Sequence, residues 1–193
     1  GNAEQIICMY EGDSLYPFVL KHDLVNRIPE LKKKYLKYES FKNETIYRIF
    51  PTEVLESSVR LEAHELASCV FLNDGKGNFT MKRLPVEAQF SPATAISVAD
   101  FDADSNPDIL LGGNQMRTKP EAGPYDASYG TLLKGDGNGN FISVKASESG
   151  LSLDGEIREF RFLHWQGEPV MVVGRNNDKP LFFGLQPTTI QLR

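Results

Sequence analysis

The chain has 193 residues, of which 40% are hydrophobic and 24% charged, ordinary figures for a globular protein able to bury a core. Its net charge of −5 and pI near 5.3 speak against a nucleic-acid binder, which presents a basic face. No apolar run approaches the ~20 residues of a membrane-spanning helix and the N-terminus shows no signal-peptide pattern, so membrane contact is expected only through an anchor that this sequence lacks.

In chain order, residues 1–20 hold two short apolar runs, Ile6-Ile7-Cys8-Met9 and Tyr16–Leu20, which read as the closing strands of a β-unit. From 21 to 67 the pattern turns helical. Leu24, Ile28, Leu31, Tyr35 and Tyr38 recur at spacings of four and three, one face of a helix, with Pro29 forcing a break or a fresh first turn. Pro51-Thr52 marks another start, with Thr52 as N-cap ahead of Leu55, Val59 and Leu66. The run Lys32-Lys33-Lys34 with Lys37 lies opposite the apolar stripe and reads as a solvated face rather than an anion site. Cys8 and Cys69 could pair, but Cys69 sits in an apolar run, where a buried free thiol is the simpler state.

The second half repeats itself. Asn73-Asp-Gly-Lys-Gly-Asn-Phe79 returns 62 residues on as Gly135-Asp-Gly-Asn-Gly-Asn-Phe141, and the same offset carries Leu111-Gly-Gly-Asn114 onto Val173-Gly-Arg-Asn176 and Pro107 onto Pro169. Residues 68–130 and 131–193 are therefore two copies of one unit. In each, Asp-Gly with a second glycine two residues later is hairpin chemistry. It joins Ser68–Leu72 to Asn78–Lys82 and Thr131–Lys134 to Asn140–Lys145. A second strand pair follows, Ala95–Ala99 with Asp108–Leu111, then Glu159–Leu163 with Pro169–Val173. Four short strands per copy, joined by Gly-rich turns, make the unit of a β-propeller blade.

Between the third and fourth strands of the first copy lies Asp100-Phe-Asp102-Ala-Asp104-Ser-Asn106-Pro-Asp108. Carboxylates at every second position repel one another unless a cation or open water separates them, and Ca²⁺ takes six to eight oxygen ligands at roughly 2.3–2.6 Å. Asp100, Asp102, Asp104 and Asp108 are the candidate side-chain ligands, with the Asn106 carbonyl beside them; the alternative is a solvated acidic turn. An EF-hand does not fit, because position six is Ser105 rather than Gly and position twelve is Leu111 rather than Glu. At the 62-residue offset the four aspartates fall on Phe162, His164, Gln166 and Val170, so the second copy has no such loop.

The Asn-Asp-Gly-x-Gly-Asn-Phe turns and the Asp-rich loop together resemble the VCBS/FG-GAP (integrin-alpha-like) repeats. The blocks Leu84–Pro92, Gly123–Ser128, Gly155–Arg158 and Arg175–Asp178 resemble the C-terminal part of large VCBS-repeat surface proteins of Bacteroidetes-type bacteria. That resemblance implies a mainly β protein of propeller-type blades with an α-helical insertion near the N-terminus. Residues 1–20 would end a preceding blade, 21–67 form the insertion, 68–130 the calcium-binding blade and 131–193 a second blade without a metal loop. Two blades and part of a third cannot close a propeller, so the remaining blades of a longer chain are expected partners. It further implies a non-catalytic, calcium-stabilised module at the cell surface or outside the cell, in the outer membrane or periplasmic space, serving adhesion, ligand binding or scaffolding. The calcium role carries onto Asp100, Asp102, Asp104, Asn106 and Asp108, and Ser105 stands where the family usually has Gly.

An enzyme is the rival class. His22, His64 and His164 are scattered, no Gly-x-Ser-x-Gly nucleophile setting occurs, and no catalytic residue is assigned. A glycan-binding module, or an accessory part of a surface carbohydrate-active enzyme, is the other reading, with Trp165, Tyr125 and Tyr129 as stacking candidates. The long polar loop Gly113–Ser128 is a candidate binding surface for a protein or glycan ligand, and its Tyr125-Asp-Ala-Ser128 segment is equally placed to brace the metal loop.

Overall fold

The computed structural model describes residues 4–120 and 122–185 and divides the chain into two compact units, Gly1–Ala63 and His64–Arg193. The protein is mainly β, built of several small antiparallel sheets with no closed barrel among the described residues. The final residues of the second sequence copy, 186–193, lie outside the described residues.

In the first unit β1 (Cys8–Glu11) and β2 (Ser14–Pro17) form a hairpin around Gly12, whose φ of 58° suits a residue without a Cβ. Helix α1 (Lys21–Arg27) stops at Ile28, because the residue before a proline is pushed out of the helical region; α2 (Leu31–Lys34) then restarts the stripe beyond Pro29. Leu24, Leu31 and Tyr35 are buried with Ile49 of α3 (Ile46–Ile49), and the Tyr35 hydroxyl donates to Glu44 at 3.0 Å. The stripe ends at Tyr35, since Tyr38 is exposed.

Two expectations for this unit change. Helix α4 (Thr52–Glu56) is capped by Pro51, with Thr52 already inside it, and it ends well before Val59 and Leu66, which are both exposed. The hydroxyls of Ser57 and Ser58 donate back to the Val54 carbonyl at 3.0 and 2.6 Å, the local bonding by which serines compete with helix continuation. Nor are all the lysines merely solvated. Lys34 Nζ donates to the carbonyls of Arg48 and Ile49, the open C-terminal end of α3.

The second unit is a stack of three layers. A hairpin of β3 (Cys69–Asn73) and β4 (Phe79–Arg83) comes first. A four-stranded antiparallel sheet follows, in the order β5 (Ala93–Ala99), β6 (Asp108–Gly113), β7 (Thr131–Gly135), β8 (Phe141–Val144). A three-stranded sheet of β9 (Ile157–Trp165), β10 (Glu168–Arg175) and β11 (Leu181–Gly184) closes the stack, after the single turn α5 (Ala146–Ser149).

The strands fall where the repeat predicts them, but the sheets do not follow the copies. Ile109 of β6 pairs with Leu133 of β7 across the boundary at 130/131, while β3 and β4 stay apart as a hairpin. The cause is the link from β4 to β5. Leu84 and Ala88 of that link are buried, and the Gln89 side chain clamps it by accepting from Ser68 N–H and donating to the Ser68 and Leu84 carbonyls. The link thereby carries the chain from one layer into the next.

Strand β6 is buried along its whole length, because both faces of its sheet are covered. Ile109 and Leu111, with Leu133, meet Val70, Leu84 and Ala88 on the hairpin side. Leu110, with Ala95, meets Phe160, Met171 and Val173 of the next sheet. The layers approach closely at Gly112, where a Cβ would lie 2.5 Å from Ile157 Cγ2 and 2.7 Å from Phe160 Cζ.

Candidate metal centre

Strand β5 ends at Ala99 and β6 begins at Asp108, so the eight residues between them form a loop at one end of the central sheet. Its own carboxylates shape it. Asp100 accepts the backbone N–H groups of Asp104 at 3.1 Å and Ser105 at 2.8 Å; Asp102 accepts from Asp104 at 3.3 Å; Asp104 accepts from Asn106 at 2.8 Å. Coiling this tightly drives Ala103 and Ser105 to φ of 61° and 71°, the left-handed region that costs a side-chain-bearing residue about 1–2 kcal/mol. Phe101 turns inward and is buried in the core, 6.0 Å from the Phe162 ring.

Asp108 is the fixed point. It is buried, and its two oxygens accept the N–H of Phe101 at 2.8 Å and of Gly135 at 2.9 Å, tying the loop to β7. Burial pushes its carboxyl above the ordinary range, against the two N–H groups that favour the anion. Gly135 and Gly137 need their missing side chains here, since Cβ atoms would lie 2.1 Å from Pro107 O and 2.4 Å from Asn106 Oδ1. The β7–β8 turn thus rests directly on the loop.

Carboxylate oxygens of Asp100, Asp102 and Asp108 come within 4.8 Å of one another, so the three could hold one metal ion. An all-oxygen, anionic donor set suits a hard cation. Asp104 and Asn106 are not part of this cluster. The Asp104 carboxylate takes the Asn106 N–H and lies 3.0 Å from Lys134 Nζ, both of which hold it below the usual carboxylate range. Lys134 Nζ also pairs with Asp102, and these two acidic partners raise its own pKa. An ammonium from β7 therefore already stands against two of the five predicted ligands.

Sequence reasoning missed Lys134. At the 62-residue offset its place in the first copy is held by Leu72, and only the fold brings it to the loop. It also missed Glu156, a buried carboxylate at the other end of the sheets. Glu156 accepts from Asn176 Nδ2 and Met116 N, each at 2.5 Å, and lies 3.5 Å from Arg158 Nη2; the bond from Asn176 leads in holding it below the ordinary range. Beside it Asn114, buried at φ 79°, donates to the Ser128 and Gly155 carbonyls and accepts the Ser128 N–H. The Tyr125–Ser128 segment is accordingly a brace, with Tyr125 bonded to Gln115, but it braces the end of β6 remote from the metal loop. A strand has two ends, and spacing along the sequence did not say which one this segment would reach.

The β9–β10 connection, which corresponds to the metal loop in the second copy, is a two-residue turn with Gln166 and Gly167 at φ of 54° and 89°. The β3–β4 and β7–β8 turns share one pattern. Asp74 accepts the N–H of Lys76 and Asn78 and the Asn78 amide; Asp136 accepts the N–H of Asn138 and Asn140 and the Asn140 amide. No protein-family model matches this chain, and no curated protein or solved structure matches it.

Proposed function

We propose that this chain is a non-catalytic, calcium-binding segment of an FG-GAP/VCBS-type β-propeller in a secreted or surface protein, serving adhesion, ligand binding or scaffolding. The observation that carries the reading is the convergence of Asp100, Asp102 and Asp108 within 4.8 Å at a loop whose path is set by its own backbone N–H groups. To accept an ion the loop must release the Lys134 ammonium from Asp102 and Asp104, while the backbone path around Asp100 and Asp108 can stay as it is. With Ca²⁺ bound, Asp100 and Asp102 would supply exposed oxygens and Asp108 a buried one, while Asp104 and the Asn106 carbonyl complete the shell once Lys134 is displaced. The bound ion would supply charge neutralisation and rigidity. Each layer of the stack corresponds in this reading to all or part of one blade, a four-stranded blade being assembled from the second half of one copy and the first half of the next.

For the glycan reading, the stacking candidates are divided between the two ends of the sheets. Ile157, at the start of β9, lies beside Thr94 at the start of β5, and Phe162 lies beside Phe101, so Trp165 stands at the metal-loop end. Tyr125 and Tyr129 stand at the other end, where Tyr129 accepts from Leu153 and Tyr125 bonds Gln115. The three exposed rings do not share one surface.

Thermal unfolding in EDTA against ~2 mM CaCl₂ tests the proposal. A dissociation constant of ~10⁻⁴ M corresponds to about 1.8 kcal/mol of stabilisation, a rise in midpoint of roughly 4–7 °C. A rise reversed by EDTA and not reproduced by Mg²⁺ is expected. An unchanged midpoint, with no heat of calcium binding by calorimetry, would reduce the loop to an acidic turn.

A further inference from the structure

Among the described residues, each outermost face of the layered unit carries exposed apolar side chains, beside Arg83 on the hairpin and the Glu159–Arg161 ion pair on the last sheet. On the hairpin, Phe71, Phe79 and Met81 share the face turned away from Val70 and are 60%, 61% and 43% exposed. On the last sheet, Leu163 and Phe182 are 39% and 67% exposed on the side opposite Met171 and Val173, with half-buried Val172 between their strands.

The repeat identifies what such faces contact. Adding 62 to Phe71 gives Leu133, which is fully buried against the hairpin; adding it to Phe79 gives Phe141, which packs in the same cluster. Subtracting 62 from Val172 gives Leu110, which is 2% exposed against the next sheet. Both layer junctions among the described residues of the second unit therefore join a face of the Leu133 kind to a face of the Val70 kind. Phe71, Phe79 and Met81 form an unpaired face of the first kind, and Val172, Leu163 and Phe182 an unpaired face of the second. The molecule carries both halves of its own internal junction, one at each end of the stack.

We propose that a second copy of this chain docks head-to-tail, the β3–β4 face of one molecule on the β9–β11 face of the next, so that the copy takes the place that further blades of a longer chain would otherwise fill; a chain that stays monomeric assigns the two faces to such blades instead. The contact is heterologous, so it either closes into a ring or grows as a filament. It continues the junction already made twice inside the unit, as stacked repeats do when each buries a face its neighbour leaves open. This inference uses the repeat and the layer packing and does not depend on the calcium reading.

Sedimentation velocity over a concentration series, in EDTA and in calcium, tests it with the full chain. The wild-type protein is expected to shift from monomer to larger species as concentration rises. Phe71→Glu and Phe182→Glu each place a charge at a contact centre without touching the monomer core, since both rings are exposed, and each variant alone is expected to stay monomeric. An equimolar mixture of the two variants should form a one-to-one dimer that grows no further, because each supplies the face that the other has lost. A wild-type protein monomeric throughout, a single variant that still associates, or a mixture that stays monomeric would each overturn the head-to-tail contact. Self-association in EDTA with no calcium response would leave this proposal standing while the calcium reading fell.

Discussion

Asp108 and Asp102 sit in the same loop but do different work, and replacing each by asparagine separates fold from metal. Asp108 is 2% exposed and accepts one backbone N–H on each oxygen, at 2.8 and 2.9 Å. An amide keeps one acceptor and turns an NH₂ group toward the other donor, leaving a buried N–H without a partner. Hydrogen bonds to charged groups contribute about 1.5–3 kcal/mol and a stranded buried donor costs about 1–3, so Asp108→Asn should lose about 2–3 kcal/mol. That is a fall in midpoint of about 4–12 °C for a chain this size, present in EDTA as much as in calcium. Asp102 is partly exposed, and its partners are Lys134 and one long N–H contact. Asp102→Asn should move the EDTA midpoint by no more than ~2 °C, as surface ion pairs do, yet abolish the rise on adding calcium. Thermal scans of both variants in EDTA and in CaCl₂ measure the four quantities. An Asp108→Asn protein as stable as wild type in EDTA would refute the double-acceptor role, and an Asp102→Asn protein that keeps the calcium increment would refute the ligand assignment.

Lys134→Met removes the cation that competes for Asp102 and Asp104, so titration calorimetry should show tighter calcium binding than wild type; an unchanged or weaker constant would mean that the ammonium is not in the ion's way. Ser105→Gly relieves the φ of 71° but adds chain entropy to the unfolded state, for a net gain of about 0.5–1 kcal/mol and a midpoint up by ~1–4 °C in EDTA. Glu156 has a carboxyl held below its ordinary range, so its contribution is present above the pH where an unfolded glutamate titrates and is lost as pH falls through the depressed folded value. Glu156→Gln should therefore be less stable than wild type at pH 7, with the gap narrowing in scans taken toward pH 3; a gap constant with pH would contradict the ionised network.

Strands were legible where the sequence carried both a turn and an alternating pattern. Asp74-Gly75 and Asp136-Gly137 placed β3, β4, β7 and β8 within about a residue, because those turns are closed by their own side chains. The pairing of β6 with β7 was not legible, since that partnership depends on where Leu84 and Ala88 bury themselves rather than on either strand's own pattern. The helical segment was legible in its Leu24–Leu31–Tyr35 stripe and misread beyond Thr52, where two serines end the helix by bonds that hydrophobic spacing does not register. In the loop, alternation exposed the carboxylates, and the resemblance to repeats that carry Gly there pointed to Ser105 as the departure, which the structure holds at a φ of 71°. Alternation could not show that Asp108 would be consumed by two backbone donors, or that a lysine 26 residues further on, Lys134, would reach Asp104.

Because each sheet is cut half a repeat out of phase with the sequence, the two copies are interlocked like offset bricks. The peptide at 130/131 looks like the natural seam, yet cleaving it divides the four-stranded sheet into β5–β6 and β7–β8, each with a raw edge and half of two cores. A protease nick there should leave the fragments held together as one species under native conditions, and neither half should fold after separation in denaturant. Recombination that gained or lost one repeat would face no such loss, because the half-sheets on either side of the join match in strand order and turn chemistry. The same offset that makes this segment hard to divide would make it easy to lengthen.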